Sequence, residues 1–355
     1  MDELYYDAID LLKKMIGIPS PSREERCVAD MLEKQMAQWN LAPKRCGNNV
    51  WCVADGFDGQ LPTLLLNSHI DTVRPADGWT FPPFEATTTD EERIYGLGSN
   101  DAGASVVSLL AAFRYLAECD RAYNLVFLAS CEEEVSGRGG IEMALPLLPN
   151  IDVAIVGEPT AMQPAIAEKG LMVLDGTVKG VAGHAARNEG ENAIYNAIEV
   201  IGALRSVKFE NQSELLGPVK VSVTQIEAGR QHNVVPDLCK IVVDVRTTDA
   251  YTNAETLELL QQAAGSKCEL VPRSLRLAPS SIATSHPLVV RLGILGKRHF
   301  GSPTLSDQAL MPFPSIKLGP GDSARSHTAD EYILTWEIRD AIHTYIALLE
   351  GCHIK

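Results

Sequence analysis

The 355-residue chain predicts an α/β fold: a layered domain with a mixed, mostly parallel sheet, interrupted by a smaller α+β domain. Three observations lead there. Apolar, strand-like runs alternate with helix-spaced segments as far as Gly157. Near Lys169 the order changes to strand, helix, strand, strand, helix, strand, and after Ala278 the helix-rich alternation returns. A chain of this length also carries a prior of about two domains.

Taken in order, Leu4, Ala8, Leu11, Leu12, Met15 and Ile16 recur at helical spacing, and Pro19 and Pro21 stop that helix. Ser22 followed by Glu25 reads as a capping box opening a second helix to about Asn40. Val50–Ala54 and Thr63–Asn67 read as strands. The second is a continuous apolar run, as expected of a strand covered on both faces. Ala102–Cys119 is expected to be a helix, Leu125–Ser130 a strand, Arg138–Leu145 a helix and Asp152–Gly157 a strand. Within the insertion, strands are expected at Leu171–Lys179, Val219–Ile226 and Cys239–Thr247, with helices at Asn192–Leu204 and Asn253–Gln262. Pro287–Gly296 and Leu334–Leu349 then read as helices around a Pro/Gly-rich segment. The boundaries assigned are 1–170 and 279–355 for the discontinuous α/β domain and 171–278 for the inserted domain.

Composition narrows the function. Apolar residues make up 45% and charged residues 22%, ordinary for a globular chain able to bury a core without covalent staples. The net charge of −15 argues against nucleic acid or an anionic membrane as partner, because both need a basic face. The eight cysteines include no Cys-x-x-Cys pair, which leaves a zinc ribbon or thioredoxin-like motif unsupported. Met1-Asp2-Glu3 is acidic where a secretory signal is basic, and Leu277–Val290 contains two prolines and a histidine, unsuited to a bilayer. The expectation is a soluble, cytoplasmic protein.

Five constellations could carry chemistry. His69-Ile70-Asp71 ends the apolar strand; residues two apart share a face, so Asp71 could orient a metal-binding or merely hydrogen-bonded His69. Gly96-Leu97-Gly98-Ser99-Asn100-Asp101 runs into a helix, with Asp101 as a helix cap or a metal bridge. A dinucleotide loop would need a glycine where Asp101 stands. Cys131-Glu132-Glu133-Glu134 follows a buried strand, either as a solvated turn or as carboxylates needing a cation. Gly157-Glu158-Pro159-Thr160 places another carboxylate after a strand, and Ser326-His327 returns a histidine late in the chain. Together, hard carboxylate oxygens with two imidazoles suit zinc or a similar divalent ion. No Gly-x-Ser-x-Gly elbow, Walker loop or His-Glu-x-x-His is present.

In this order the five motifs resemble the di-zinc metallopeptidase family that includes acetylornithine deacetylase, succinyl-diaminopimelate desuccinylase, aminoacylase and bacterial carboxypeptidases. The Gly-Glu-Pro-Thr and His327-Thr-Ala-Asp-Glu-Tyr forms are similar to the acetylornithine deacetylase branch. The resemblance implies a zinc-exopeptidase-like catalytic domain and a ferredoxin-like lid or dimerisation insert. It implies two zinc ions per chain, or cobalt: one held by His69 and Glu158, one by Glu134 and His327, with Asp101 bridging and a cis peptide after it. Asp71 would support His69, and Glu133 would act as general base, with Glu132 standing where the family often has Asp. His184, in Gly183-His184-Ala185-Ala186, would reach the partner's site in a homodimer to stabilise an oxyanion. Asn233 and Arg246 would bind the substrate carboxylate, with the Gly319 and Gly321 amides as further anion donors. The implied activity is removal of the acyl group from a small Nα-acyl amino acid, N-acetylornithine foremost. N-succinylornithine, N-acetylcitrulline, succinyl-diaminopimelate and dipeptides are alternatives, and a non-catalytic binding relative is the alternative of another class.

Overall fold

The computed structural model describes residues 1–89 and 92–355 and divides into two compact units. Unit 1 comprises Met1–Ile166, Ser281–Phe300 and Ser306–Lys355; unit 2 comprises Ala167–Ser280 with Gly301–Leu305. The short return at Gly301–Leu305 falls inside the stretch that the sequence reading assigned to the α/β domain.

In unit 1, six strands lie side by side in the order Lys44–Cys46, Asn49–Val53, Asn124–Ser130, Thr63–His69, Val153–Val156 and Ser315–Lys317. Thr63–His69 pairs in parallel with both Asn124–Ser130 and Val153–Val156, and Ser315–Lys317 extends that parallel set. Asn49–Val53 runs antiparallel to Asn124–Ser130, so the sheet is mixed. Side chains alternate across a strand, and the apolar run shows why both faces had to be apolar. Leu64 and Leu66 join a core under the helices Asp2–Ile16, Arg26–Gln38, Ala104–Ala117 and Thr335–Leu349. Leu65 joins a second core on the other face with Trp51, Val126, Leu128, Ile141 and Ala154. Each such leucine, fully withdrawn from water, contributes roughly 1.5–3 kcal/mol.

The parallel strands stop together. His69 is in register with Ser130, and Asn67 with Val156, so the loops that follow all leave from one edge of the sheet. That edge, at the carboxyl ends of parallel strands, is where open α/β sheets bind ligands.

Three local expectations are corrected. Ser22 and Glu25 do not form a capping box. The helix starts at Arg26 without a side-chain cap, Ser22 Oγ donates to Asp71 Oδ2 at 2.8 Å, and the buried Glu25 carboxylate serves Asn48 and the Glu132 amide instead. The helix expected from Ala102 begins at Ala104, because the backbone of Asp101 (φ −120°, ψ 96°) and Ala102 (φ −123°, ψ 31°) is non-helical; the peptide between them is cis. Asp101 is therefore not a helix cap. The helix expected at Arg138–Leu145 is confined to Ile141–Ala144, following Gly139-Gly140.

Unit 2 has a β-α-β-β-α-β order. Its antiparallel sheet runs Lys220–Ala228, Leu238–Thr247, Gly170–Lys179, Cys268–Pro272. The helices Ala193–Ser206 and Asn253–Ala264 cover one face, burying Met172, Leu174, Val178, Ile241, Val243 and Val245. Asn192 caps the first helix through Ile194, and Thr252 with Glu255 forms a full capping box on the second. Among the described residues no helix is long and apolar enough to cross a membrane, and all eight cysteines are free thiols.

Candidate metal centre

Seven of the expected residues meet at the strand-end edge of unit 1. His69, 1% exposed, closes its strand. Its Nδ1 lies 2.9 Å from the Asp71 carbonyl oxygen; donation there leaves Nε2 as the free lone pair. Nε2 faces Asp101 Oδ1 at 3.2 Å and Glu158 Oε1 at 3.8 Å. The other oxygen of Asp101, Oδ2, lies 3.6 Å from His327 Nε2, which also approaches Glu134 Oε2 at 3.0 Å. Asp101 thus divides its carboxylate between two histidines, each with its own glutamate.

Asp71 does more than face His69. Its Oδ1 accepts the Glu133 amide at 3.0 Å, and its Oδ2 accepts the Glu134 amide at 3.1 Å together with the Ser22 hydroxyl. One buried residue therefore sets both the first histidine, through its carbonyl, and the turn that carries the two glutamates, through its carboxylate.

The three consecutive glutamates are sorted by the backbone. Glu132 has φ +56°, and its side chain turns into the following loop, where Oε2 accepts the Gly139 amide at 3.3 Å and lies 3.9 Å from Arg23. Glu133 falls in a set with His69 and Glu158, and Glu134 in a set with His69 and Asp101, the ligand atoms of each set within 4.8 Å of one another.

The site gathers acidic groups whose anions a cation would stabilise. Burial pulls His69 down, but hydrogen bonds to Asp101 and Asp71 and the charges of Glu133 and Glu158 carry it well above the ordinary histidine value. Burial pushes Glu133 well above the usual carboxylate range, with Glu158, Asp307 and Glu134 adding repulsion that His69 only partly offsets. Burial likewise takes Glu158 to about 8, against the pull of His69 and Lys317. The hydrogen bond to Glu134 lifts His327 to about 9. Asp101 is raised by burial yet ends below its ordinary value, because His69, Ser326 and His327 favour its anion.

These residues fit divalent ions. Glu158 Oε1 is buried without a hydrogen-bond partner among the described residues and lies 3.8 Å from His69 Nε2. Ligands about 2.0–2.2 Å from a tetrahedral zinc ion lie about 3.3–3.6 Å from one another. The separations of 3.2 and 3.8 Å on one side of Asp101, and 3.0 and 3.6 Å on the other, bracket that range.

Not all expected residues belong to this cluster. Gly319 is not an available anion donor: its amide donates to Thr160 Oγ1 at 3.1 Å. Gly321, at φ +86°, packs where a Cβ would strike Asn100 Oδ1, and its carbonyl accepts the Ala161 amide. In unit 2, His184 and Asn233 adjoin one another: Val234 pairs with His184, and the Ala185 amide donates to the Asn233 carbonyl at 3.0 Å. Arg246 lies elsewhere. Its strand pairs Leu238 with Lys179 near that hairpin, whereas Arg246 is eight residues farther on, roughly 26 Å along an extended strand. The structure therefore does not bring Asn233 and Arg246 together within unit 2. The Arg246 guanidinium is closed on Asp244, with Nε to Oδ1 at 2.9 Å and Nη2 to Oδ2 at 3.2 Å.

Sequence reading overlooked three charged residues. Asp307 accepts Ser130 Oγ at 2.6 Å and Asn67 Nδ2 at 2.9 Å, and burial pushes it up to about 6. Lys317, 3% exposed, places an ammonium charge that acts on Glu158. Glu331 accepts three backbone amides of the Asp101 loop. Only Glu331 had a local signal, its place four residues after His327.

The chain matches a known family and known folds. The profile described as peptidase family M20/M25/M40 matches residues 65–351. A provisionally named succinyl-diaminopimelate desuccinylase of Mycobacterium tuberculosis is 27% identical, over 99% of this chain and 100% of its own length. Acetylornithine deacetylase of Pectobacterium carotovorum is 29% identical, over 77% of this chain and 76% of its own. Among solved structures, aminopeptidase PepT of Bacillus cereus superposes with a TM-score of 0.79 at 16% identity, covering 98% of both chains. A Staphylococcus aureus tripeptidase gives 0.76 at 19% identity, again over 98% of both, so the fold is shared.

Proposed function

The chain belongs to peptidase family M20/M25/M40, and from that premise we propose a metal-dependent deacylase that releases the amino acid from an Nα-acyl amino acid. Membership makes it a hydrolase acting on amide bonds. The observation that carries the metal-dependent reading is the division of Asp101 between His69 and His327. In the proposed site His69 and Glu158 would hold one zinc ion and Glu134 and His327 a second, with Asp101 facing both histidines; cobalt is an alternative. Such ions, when bound, polarise the amide carbonyl and acidify water. Glu133 takes the proton of the attacking water and returns it to the departing amine, while Asp71 keeps the Glu133 turn and the His69 ring in place.

The substrate proposed is N-acetylornithine, which would place the enzyme in cytoplasmic arginine synthesis. The acetylornithine deacetylase relative and the Gly157-Glu158-Pro159-Thr160 segment support it. Succinyl-diaminopimelate is the second reading, favoured by the mycobacterial relative that spans nearly the whole chain. A hydrolysis panel of acetylated and succinylated ornithine, citrulline, lysine and diaminopimelate decides. Acetylornithine should turn over fastest, and a chelator should stop it. A protein carrying two ions that cleaves none of these substrates would sink the proposal.

A homodimer through unit 2 is part of the reading. Lys220–Ala228 is an open sheet edge with Ile226 exposed, and the neighbouring helix exposes Tyr195 and Ile198. With Arg246 set so far along the strand from the His184–Asn233 hairpin, two copies are proposed to supply the two sets to one substrate. Sedimentation equilibrium should give twice 38.5 kDa, and Ile226→Glu should shift the protein to monomer with loss of activity. A fully active monomer contradicts this assembly.

A further inference from the structure

Glu331 is 2% exposed and lies four residues beyond His327 on the same segment. Its Oε2 accepts the Gly98 amide at 3.0 Å; its Oε1 accepts the amides of Asn100 at 2.8 Å and Asp101 at 2.9 Å. Its own carbonyl accepts the Gly96 amide at 3.0 Å. From the opposite direction, the fully buried Asn100 side chain returns the tie. Its Oδ1 accepts the Asp322 amide, and its Nδ2 donates to the Asp322 carbonyl and Ser326 Oγ. Gly98 makes the loop fit, because φ +74° and close packing on Thr72 leave no room for a Cβ.

We infer that Glu331 is a positioning residue that fastens the Asp101 loop to the His327 segment, so that the two side chains face each other before any ion arrives. The inference rests on the metal-site reading. Three N–H groups converge on the two oxygens of one carboxylate, which has enough lone pairs to accept all of them. A glutamine has a single acceptor oxygen and would turn its own donors toward a backbone donor. The loop would then lose at least one hydrogen bond, and the 3.6 Å approach of Asp101 Oδ2 to His327 Nε2 would no longer be set by the backbone. Groups that hold metal ligands from behind typically change affinity by about 10- to 100-fold.

Two measurements on the full-length protein test this. In chelator-stripped wild type, hydrogen exchange should show the amides of Gly98, Asn100 and Asp101 protected; exchange at open-loop rates overturns the inference. Glu331→Gln should weaken cobalt binding at the second ion by at least about tenfold and alter the visible cobalt spectrum. Added metal should then restore kcat with KM unchanged. Glu331→Gln with wild-type cobalt affinity and spectrum overturns it. If that variant does not fold, the wild-type exchange result decides. Wild type that binds no metal refutes the site reading itself and leaves the amide protection to be judged on its own.

Discussion

Replacing Glu133 with Gln is expected to lower turnover by about 10²- to 10⁴-fold while metal content stays at the wild-type level, the usual contribution of a positioned acid–base group. The substitution keeps the size of the side chain and leaves its backbone amide on Asp71 Oδ1, so the turn should persist. What disappears is a carboxylate of the proposed site that can accept and return a proton without also serving as a ligand. The elevated proton affinity of Glu133, caused by burial and then by Glu158, Asp307 and Glu134, suits that task. Glu132→Gln is the matched control. Its side chain is turned onto the Gly139 amide and Arg23, so its kcat should change by less than about tenfold. Single-turnover kinetics with metal analysis would reverse the assignment if Glu132→Gln were the inactive variant.

Stripping the metal should leave a protein whose stability falls as pH rises. Glu158 at about 8, Glu331 at about 7, Asp307 at about 6 and the raised Glu133 all hold protons in the folded state at pH values where the unfolded chain has released them. Each is destabilising as pH climbs above the unfolded carboxylate value. The histidines act in the same sense. His69 and His327 are raised, so their contribution is complete below about pH 6.5 and is lost as pH passes through the folded value, about 9 for His327. Asp71 and Asp101 are lowered and oppose this only in acid, where their contribution is lost. Between pH 5.5 and 8.5 the unfolding midpoint of the stripped protein should fall by at least about 5 °C. Zinc should raise the midpoint more at pH 8.5 than at 5.5, because it binds the deprotonated ligands. A midpoint for the stripped protein that climbs across this range would contradict the cluster's charge balance.

What could be read from the sequence was whatever is written in consecutive residues. The apolar run before His69 announced a strand covered on both faces, and the carboxylates after Leu125–Ser130 and Asp152–Gly157 marked where it ended. Side-chain partnerships between distant segments were not legible. Ser22 and Glu25 have capping-box spacing, yet tertiary contacts claim both, one for Asp71 and the other for the Glu132 loop. Asp307 sits in a proline-containing loop with no periodicity to betray it, and Ser130 and Asn67 hold it in place. Gly319 looked like an exposed amide in a Gly-Pro-Gly turn because nothing local shows that Thr160 reaches it. Glu132, Glu133 and Glu134 are alike as letters; a single positive φ separates them.

The contact between Ser22 and Asp71 bears on where the working enzyme begins. The family match opens at residue 65, inside the Thr63–His69 strand. The carboxylate that steadies the Glu133 turn is itself latched from the loop between the first two helices, and the neighbouring Glu25 carries the Glu132 amide from the same place. A fragment trimmed to the recognisable core would keep every proposed ligand and the proposed base, yet lose the foundation beneath them. The leading segment is the keel of the Glu133 turn, and its ancestry should be traced together with the residues it supports.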